Sequence, residues 1–206
     1  MHPNPVFQDK DIDKNLTFAR ERGFGTLAVN GQSRPLLSHI PFRISSDNES
    51  VEIHLVRSNP IARMNFPLAA LISVTGADSY VSPDWYDLEN QVPTWNYVAL
   101  HIHGRLERMP DDQLRRVIDE LSTEFESRLE PKPIWNSQKM DSDSLARLMR
   151  MIIPFRLRIE QVEGTWKLNQ NKPKNAVHGA IKGVSTNGIG SEVESLSRLM
   201  QQTLEK

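Results

Sequence analysis

FGTLAVNGQSRPLLSHIPFRISSDNESVEIHLVRSNP, residues 24–60, reads as three β-strands joined by tight turns. Asn30-Gly31 is a strong hairpin signal, because both residue types tolerate the backbone twist of a tight antiparallel turn. The strand before it covers Phe24 to Val29, and the return strand runs from about Arg34 to Ile44. On the return strand Leu36, Ser38, Ile40, Phe42 and Ile44 fall on one face. A polar turn, Ser45 to Ser50, leads to Val51–Arg57, where Val51, Ile53 and Leu55 alternate. Short turns and a period of two predict an antiparallel sheet.

Working outward, Asp9 to Arg22 reads as a helix, with Asp9 or Asp11 as its cap and Ile12, Leu16 and Ala19 at helical spacing. Beyond the third strand, Ser58-Asn59-Pro60 opens a short helix, Ile61 to Phe66, and Leu68 to Val74 is an apolar run of strand length. Tyr80 to Val92 reads as an irregular loop. Trp95 to Glu107 alternates, with Val98, Leu100, Ile102 and Leu106 pointing one way and Tyr97, His101, His103 and Arg105 the other. Asp111 to Leu129 carries the clearest helical stripe: Leu114, Val117, Ile118, Leu121 and Phe125. A second helix is predicted over Leu145–Ile152 and a last strand over Phe155–Val162, with Trp166–Asn169 as an extension. In the tail, Ala176, Val177, Ile181 and Val184 have helical spacing interrupted by Gly179 and Gly183, and Val193–Leu204 reads as a terminal helix. This order predicts a β-rich α+β chain: one domain over 1–206, a closed or partly closed antiparallel barrel with helices outside it and a helical extension from about 173.

Composition narrows the classes. The 206 residues carry a net charge of −1 and include no cysteine, which excludes disulfides, thiol nucleophiles and cysteine-ligated metals. A pI near 6.6 gives no general pull on nucleic acid, and no helix-turn-helix is legible, so direct DNA binding is not expected. The first residues, MHPNPVFQDKD, lack the basic start and apolar core of a secretion signal, and no apolar run approaches membrane-spanning length. A cytoplasmic protein is expected.

Three stretches could carry chemistry. In HLVRSNP (His54–Pro60) a strand end, an arginine, a hydroxyl and a helix start come together, which suits a phosphate. The same residues also read as a solvated arginine and an ordinary cap. PTWNY (Pro93–Tyr97) offers aromatic surfaces and an amide to a planar heterocycle, or simply packs. WKLNQNKP (Trp166–Pro173) is dense in amides and lysines, and equally suits a polar ligand or a solvated turn. His101 and His103 share a strand face; with His39 and His54 they lack a carboxylate at ligand spacing, so no metal is expected and a ligand or subunit contact is.

Taken in order, SHIPF (Ser38–Phe42), HLVRSNP, YVSPDWY (Tyr80–Tyr86), VPTWNY (Val92–Tyr97), HIHGRLE (His101–Glu107) and WKLNQNKP resemble the PaiB family of FMN-binding negative transcriptional regulators, over nearly the whole chain. His2 and Pro5 depart from the family's usual start. The resemblance implies an antiparallel split β-barrel of the flavin-reductase and pyridoxamine-phosphate-oxidase kind with peripheral helices. It also implies a homodimer with FMN between subunits, and a regulatory annotation for which this sequence shows no DNA-reading element. On that footing Arg57, Ser58 and Asn59 are expected to hold the phosphate, aided by Lys172. His39, Trp95, Asn96 and Gln170 are expected near the ring or ribityl chain. No dedicated catalytic acid or base is identified, and none is needed if a flavin carries hydride or electrons. Two other readings stay open: a regulatory or interaction protein with a sensory or vacant flavin site, and a haem-binding barrel using His101 or His103.

Overall fold

The computed structural model describes residues 1–205. In chain order it contains β1 (Gln8–Asp9), α1 (Ile12–Arg22), β2 (Phe24–Asn30), β3 (Pro35–Pro41), β4 (Arg43–Ile44), β5 (Ser50–Val56), β6 (Leu68–Val81), β7 (Thr94–Arg108), α2 (Leu114–Glu126), α3 (Ser142–Met149), β8 (Ile152–Lys167), α4 (Lys174–Asn187) and α5 (Val193–Gln202). The sheet order is β3-β2-β6-β7-β8-β5-β4, with β1 added to β8. Its two ends, β3 and β4, are successive pieces of one extended run broken only at Phe42. Up to Pro41 this run pairs with β2; from Arg43 it pairs with β5. One predicted return strand therefore serves two partners, and that switch closes the sheet into the expected antiparallel split barrel. Among the described residues no helix is long and apolar enough to cross a membrane.

By packing, the chain divides into two compact units: Leu16–Ser73 with Ile102–Val162, and Met1–Asn15 with Val74–His101 and 163 onward. In the first, the β2–β3 hairpin keeps the register set by Asn30, with Thr26 opposite His39 and Ala28 opposite Leu37. Leu27, Ile40, Phe42, Ile53, Ile72, Ile102, Leu106, Phe155 and Leu157 are buried, as the alternation predicts. Gly23 ends α1 at φ 57°, a left-handed conformation that glycine adopts at little cost. The α2 stripe buries Leu114, Val117 and Leu121. Under its polar edge, Arg116 donates to both oxygens of buried Glu52 at 2.7 and 3.0 Å. Burial pushes the Glu52 carboxyl up, but the Arg116 bonds, with the charges of Arg116 and Arg43, bring it net below its ordinary value.

The second unit holds most departures from the predicted boundaries. The strand predicted over Leu68–Val74 runs on to Val81, so Tyr80 and Val81 belong to β6 and not to the following loop. The reason lies far along the chain: the Asp78 and Tyr80 amides donate to the carbonyls of Ser191 and Ile189. Strand β8 passes through Gly164 without a break, because a Cβ there would lie 2.3 Å from Asn15 Oδ1. Buried Asn15 occupies that space, accepting from the Trp166 indole at 2.9 Å and donating to the Asp9 carbonyl at 2.9 Å. In the tail, α4 forms through Gly179 and Gly183 because Trp85 lies against both. In the first unit, α3 starts three residues before the predicted Leu145, since Asp141 caps the Ser144 amide at 2.9 Å.

Candidate functional site

In the Leu16–Ser73 and Ile102–Val162 unit, the structure brings together Ser38 and the Arg57–Asn59 corner. Strand β5 stops at Val56, and Arg57 and Ser58 follow as exposed residues. Arg57 is fixed by its Nε, which donates to the Arg150 carbonyl at 2.7 Å. Its terminal nitrogen lies 3.5 Å from Asp111, both side chains being about half exposed. An exposed pair of this length contributes roughly 0–1 kcal/mol, so a stronger anion can displace it. The Asp111 carboxyl sits below its ordinary value chiefly through its bond to Arg108, against the cost of burial, with Arg57 contributing less.

Asn59 is the hinge of this corner. Its Oδ1 accepts from the Ile61 amide at 2.9 Å, and its Nδ2 donates to Ser38 Oγ at 3.0 Å. One side chain thus holds the bend that leads into the next turn and ties it to β3. That turn, Ile61–Arg63, is a single turn of 3-10 helix, shorter than the helix predicted to Phe66. So short a turn has little macrodipole, and the attraction for an anion rests on the side chains. The next residue along β3, His39, is exposed; its Nδ1 lies 3.0 Å from Thr26 Oγ1. Its ring is nearly parallel to that of Phe24, with centroids 6.5 Å apart. Phe24 is 55% and Leu37 66% exposed, so the outward face of the hairpin, opposite the face that carries Ser38, presents a half-exposed aromatic and apolar step.

Trp95, Asn96, Gln170 and Lys172 lie in the other unit. Trp95 is exposed and meets Tyr80 edge to face at 6.3 Å. Asn96 is fully buried; its Nδ2 is 3.6 Å from Met200 Sδ, and its Oδ1 has no partner among the described residues. The Gln170 amide is taken up by the backbone: it accepts from the Leu168 amide and donates to the carbonyls of Trp166 and Val6. Lys172 bonds Gln91 and lies 5.1 Å above the Tyr86 ring. Tyr86 in turn donates to buried Asn169, which is held at φ 65°.

Two residues inside the quoted motifs acquire roles that their types alone did not signal. Ser38 was an inward strand position until Asn59 reached it. Lys167 bonds Thr94, and its ammonium is held below the ordinary lysine value first by burial and then by the nearby charge of Lys172. Two neighbouring cations, one of them partly desolvated, favour an anion between or beside them. The alternation of β8 placed Lys167 on a face, but nothing in the sequence paired it with Lys172.

A family model described as "Putative FMN-binding domain" matches residues 1–161. "Protease synthase and sporulation protein PAI 2" of Bacillus subtilis (strain 168) is 26% identical over 210 residues, covering 100% of this chain and 99% of the relative. Among solved structures, the FAD and heme binding protein from Mycobacterium smegmatis superposes with a TM-score of 0.59 at 16% identity, covering 89% of this chain and 82% of that one. The flavocytochrome Anf3 from Azotobacter vinelandii gives a TM-score of 0.56 at 13% identity, covering 81% and 72%. At such identities the two structures speak for the fold alone.

Proposed function

The chain belongs to the family described as "Putative FMN-binding domain", and from that premise we propose that it binds FMN with the phosphate at Arg57, Ser58 and Asn59. The observation that carries this reading is the Asn59 bridge to Ser38, which fixes against β3 the corner that carries two exposed donor side chains, Arg57 and Ser58. The residues fit the group. A dianion needs donors free of strong carboxylate competition, and Arg57 meets only the long, exposed contact to Asp111. A planar heterocycle needs an aromatic or apolar wall, and His39, Phe24 and Leu37 offer one. Lys172, with Lys167 and Trp95, is the second group of ligand contacts in this reading. Asn96 and Gln170 act from within, shaping the strand start that carries Trp95 and the turn that carries Lys172.

When bound, a flavin supplies hydride or electron transfer. The protein's share is to bind, orient and exclude water. Arg57 neutralises phosphate charge, Asn59 fixes the corner, and His39 stands where it can donate to or stack on a ring. A flavin-dependent oxidoreductase is the enzymatic form of this reading. The name of the Bacillus relative, which speaks of sporulation, favours a second form in which the flavin is sensory and the protein regulatory; direct DNA binding forms no part of it. We further propose a cytoplasmic homodimer, since an outward strand face bearing Phe24, Leu37 and His39 suits a second copy of itself.

The test is binding. Arg57→Ala should weaken FMN by about 1.5–3 kcal/mol, the range for a charge-assisted hydrogen bond, and leave riboflavin nearly unaffected. Equal losses for both ligands would remove Arg57 from the phosphate. An absorption spectrum of the purified protein distinguishes the wider readings: flavin bands support this one, a Soret band points to haem, and neither band after flavin titration overturns it.

A further inference from the structure

Within the Leu16–Ser73 and Ile102–Val162 unit, a cavity of about 600 Å³ lies between the tip of the β2–β3 hairpin and the segment after the 3-10 turn. Its polar lining includes Ser33, Arg34, Arg63 and Asn65, and no acidic residue lines it. The Arg34 side chain has no hydrogen-bonding or ionic partner among the described residues. Arg63 spends only its Nε, on the carbonyl of Arg57 at 3.3 Å. Leu36 and Met64, both half-buried, supply apolar wall.

Both arginines stand on fixed backbone. The Gly31 amide donates to the Arg34 carbonyl at 3.1 Å, and a Cβ at residue 31 would come within 2.5 Å of that oxygen, so the tip closes this tightly only on glycine. Pro35 follows, pairs with Asn30 in the hairpin register, and disfavours a helical conformation at Arg34. On the other wall Ile61 is buried, and the Met64 amide donates to its carbonyl at 3.1 Å, closing the turn that carries Arg63. Little backbone ordering is left for a ligand to impose. Two guanidinium groups with no carboxylate beside them leave two positive charges uncompensated, and a single carboxylate would neutralise one. A phosphate monoester carries about −1.5 to −2 at pH 7 and three strong acceptor oxygens, which match the guanidinium forks, the Ser33 hydroxyl and the Asn65 amide. The volume falls within the roughly 300–1,000 Å³ of small-molecule sites, which leaves room for an organic body against Leu36 and Met64.

We propose that this cavity binds a small phosphate monoester, separately from the flavin at Arg57–Asn59 and whether or not the flavin is present. Arg34 and Arg63 hold the phosphate, Ser33 and Asn65 donate to it, and the organic body lies on Leu36 and Met64. The two sites are neighbours, since Arg63 donates to the Arg57 carbonyl, but they share no residue.

Calorimetric titration of the full-length protein with phenyl phosphate, without FMN and with one equivalent of it, tests this. One equivalent of phenyl phosphate should bind in both cases. Arg34→Ala should weaken it at least about tenfold, the loss expected of one charge-assisted contact, and Arg34→Lys should restore part of that loss by keeping the charge without the fork. Arg57→Ala should leave phenyl phosphate within about twofold. Phthalate, a dianion without a phosphate, and inorganic phosphate, without an organic body, should each bind more weakly; equal binding of either overturns the assigned class. If Arg34→Ala leaves phenyl phosphate unaffected, the site is overturned. If one equivalent of FMN abolishes phenyl phosphate binding, or Arg57→Ala weakens it as much as Arg34→Ala does, the cavity is part of the flavin phosphate's own site and the proposal is again overturned. If FMN fails to bind while phenyl phosphate responds to Arg34 as expected, the flavin reading falls and this site stands.

Discussion

His54 separates a structural titration from a functional one. It lies on β5 between Ile53 and Leu55, and its Nδ1 is buried with no partner among the described residues. Burial holds its pKa below the ordinary histidine value, so the fold keeps the ring neutral. The unfolded chain takes up a proton near pH 6.5; the folded chain does so only at lower pH. More protons on the unfolded chain mean that stability rises with pH in that window. The contribution of neutral His54 is therefore fully present above about pH 6.5 and is lost as pH falls towards the depressed folded value, by at most about 1.4 kcal/mol per pH unit. Melting temperatures between pH 7.5 and 5.5 should fall in the native protein, and His54→Phe should flatten that slope. An unchanged slope would assign the titration to another group. Glu52, whose carboxyl is net lowered, has the same sign, but its loss begins only below about pH 4.5, in the carboxylate range.

At the scale of one element, α4 shows how a partner reverses a propensity. Glycine in a helix interior costs roughly 1 kcal/mol against alanine, so Gly179 and Gly183 read as interruptions. In the structure a Cβ at Gly183 would come within 2.1 Å of the Trp85 ring, and one at Gly179 within 2.0 Å of the Trp85 carbonyl. A ring that close cannot step aside by a few tenths of an ångström. Gly183→Ala should therefore destabilise the protein, by about 1–3 kcal/mol for the overpacking, despite the gain in helix propensity. Urea denaturation measures it. Trp85→Ala in the same chain should relieve most of the added cost, because the two positions share one contact. Additive losses would show that the glycine answers to something other than the indole.

At the scale of the whole molecule, the exposed face of the β2–β3 hairpin is an apolar surface that a single chain leaves uncovered. Register puts Phe24, Thr26 and Ala28 on the same face as Leu37 and His39, and Phe24 and Leu37 are more than half exposed. Sedimentation at micromolar concentration should give about twice the 23.6 kDa chain mass, since a specific interface of roughly 1,000 Å² or more normally covers such a face. Leu37→Glu should shift the mass to that of one chain and weaken FMN with it. A native protein that sediments as one chain and still binds FMN tightly would refute the shared site.

The alternation of β2, β3, β5 and β7, the Asn30-Gly31 turn and the α2 stripe were all legible because each rests on neighbours within a few residues. That local pattern, with the order of the six motifs, determined the barrel and pointed to the family. The extension of β6, the continuity of β8 through Gly164 and the seating of Trp85 on α4 were not legible. Each depends on a partner far along the chain: Ile189 and Ser191, Asn15, and Gly179 with Gly183. The candidate site divides the same way. Residue chemistry singled out Arg57, Ser58 and Asn59, but only the tertiary structure placed Ser38 against Asn59, Lys167 beside Lys172, and an uncompensated pair of arginines around a cavity. A hydrogen bond or a Coulomb interaction depends on distance in space, and sequence separation fixes that distance only within a turn or a single element.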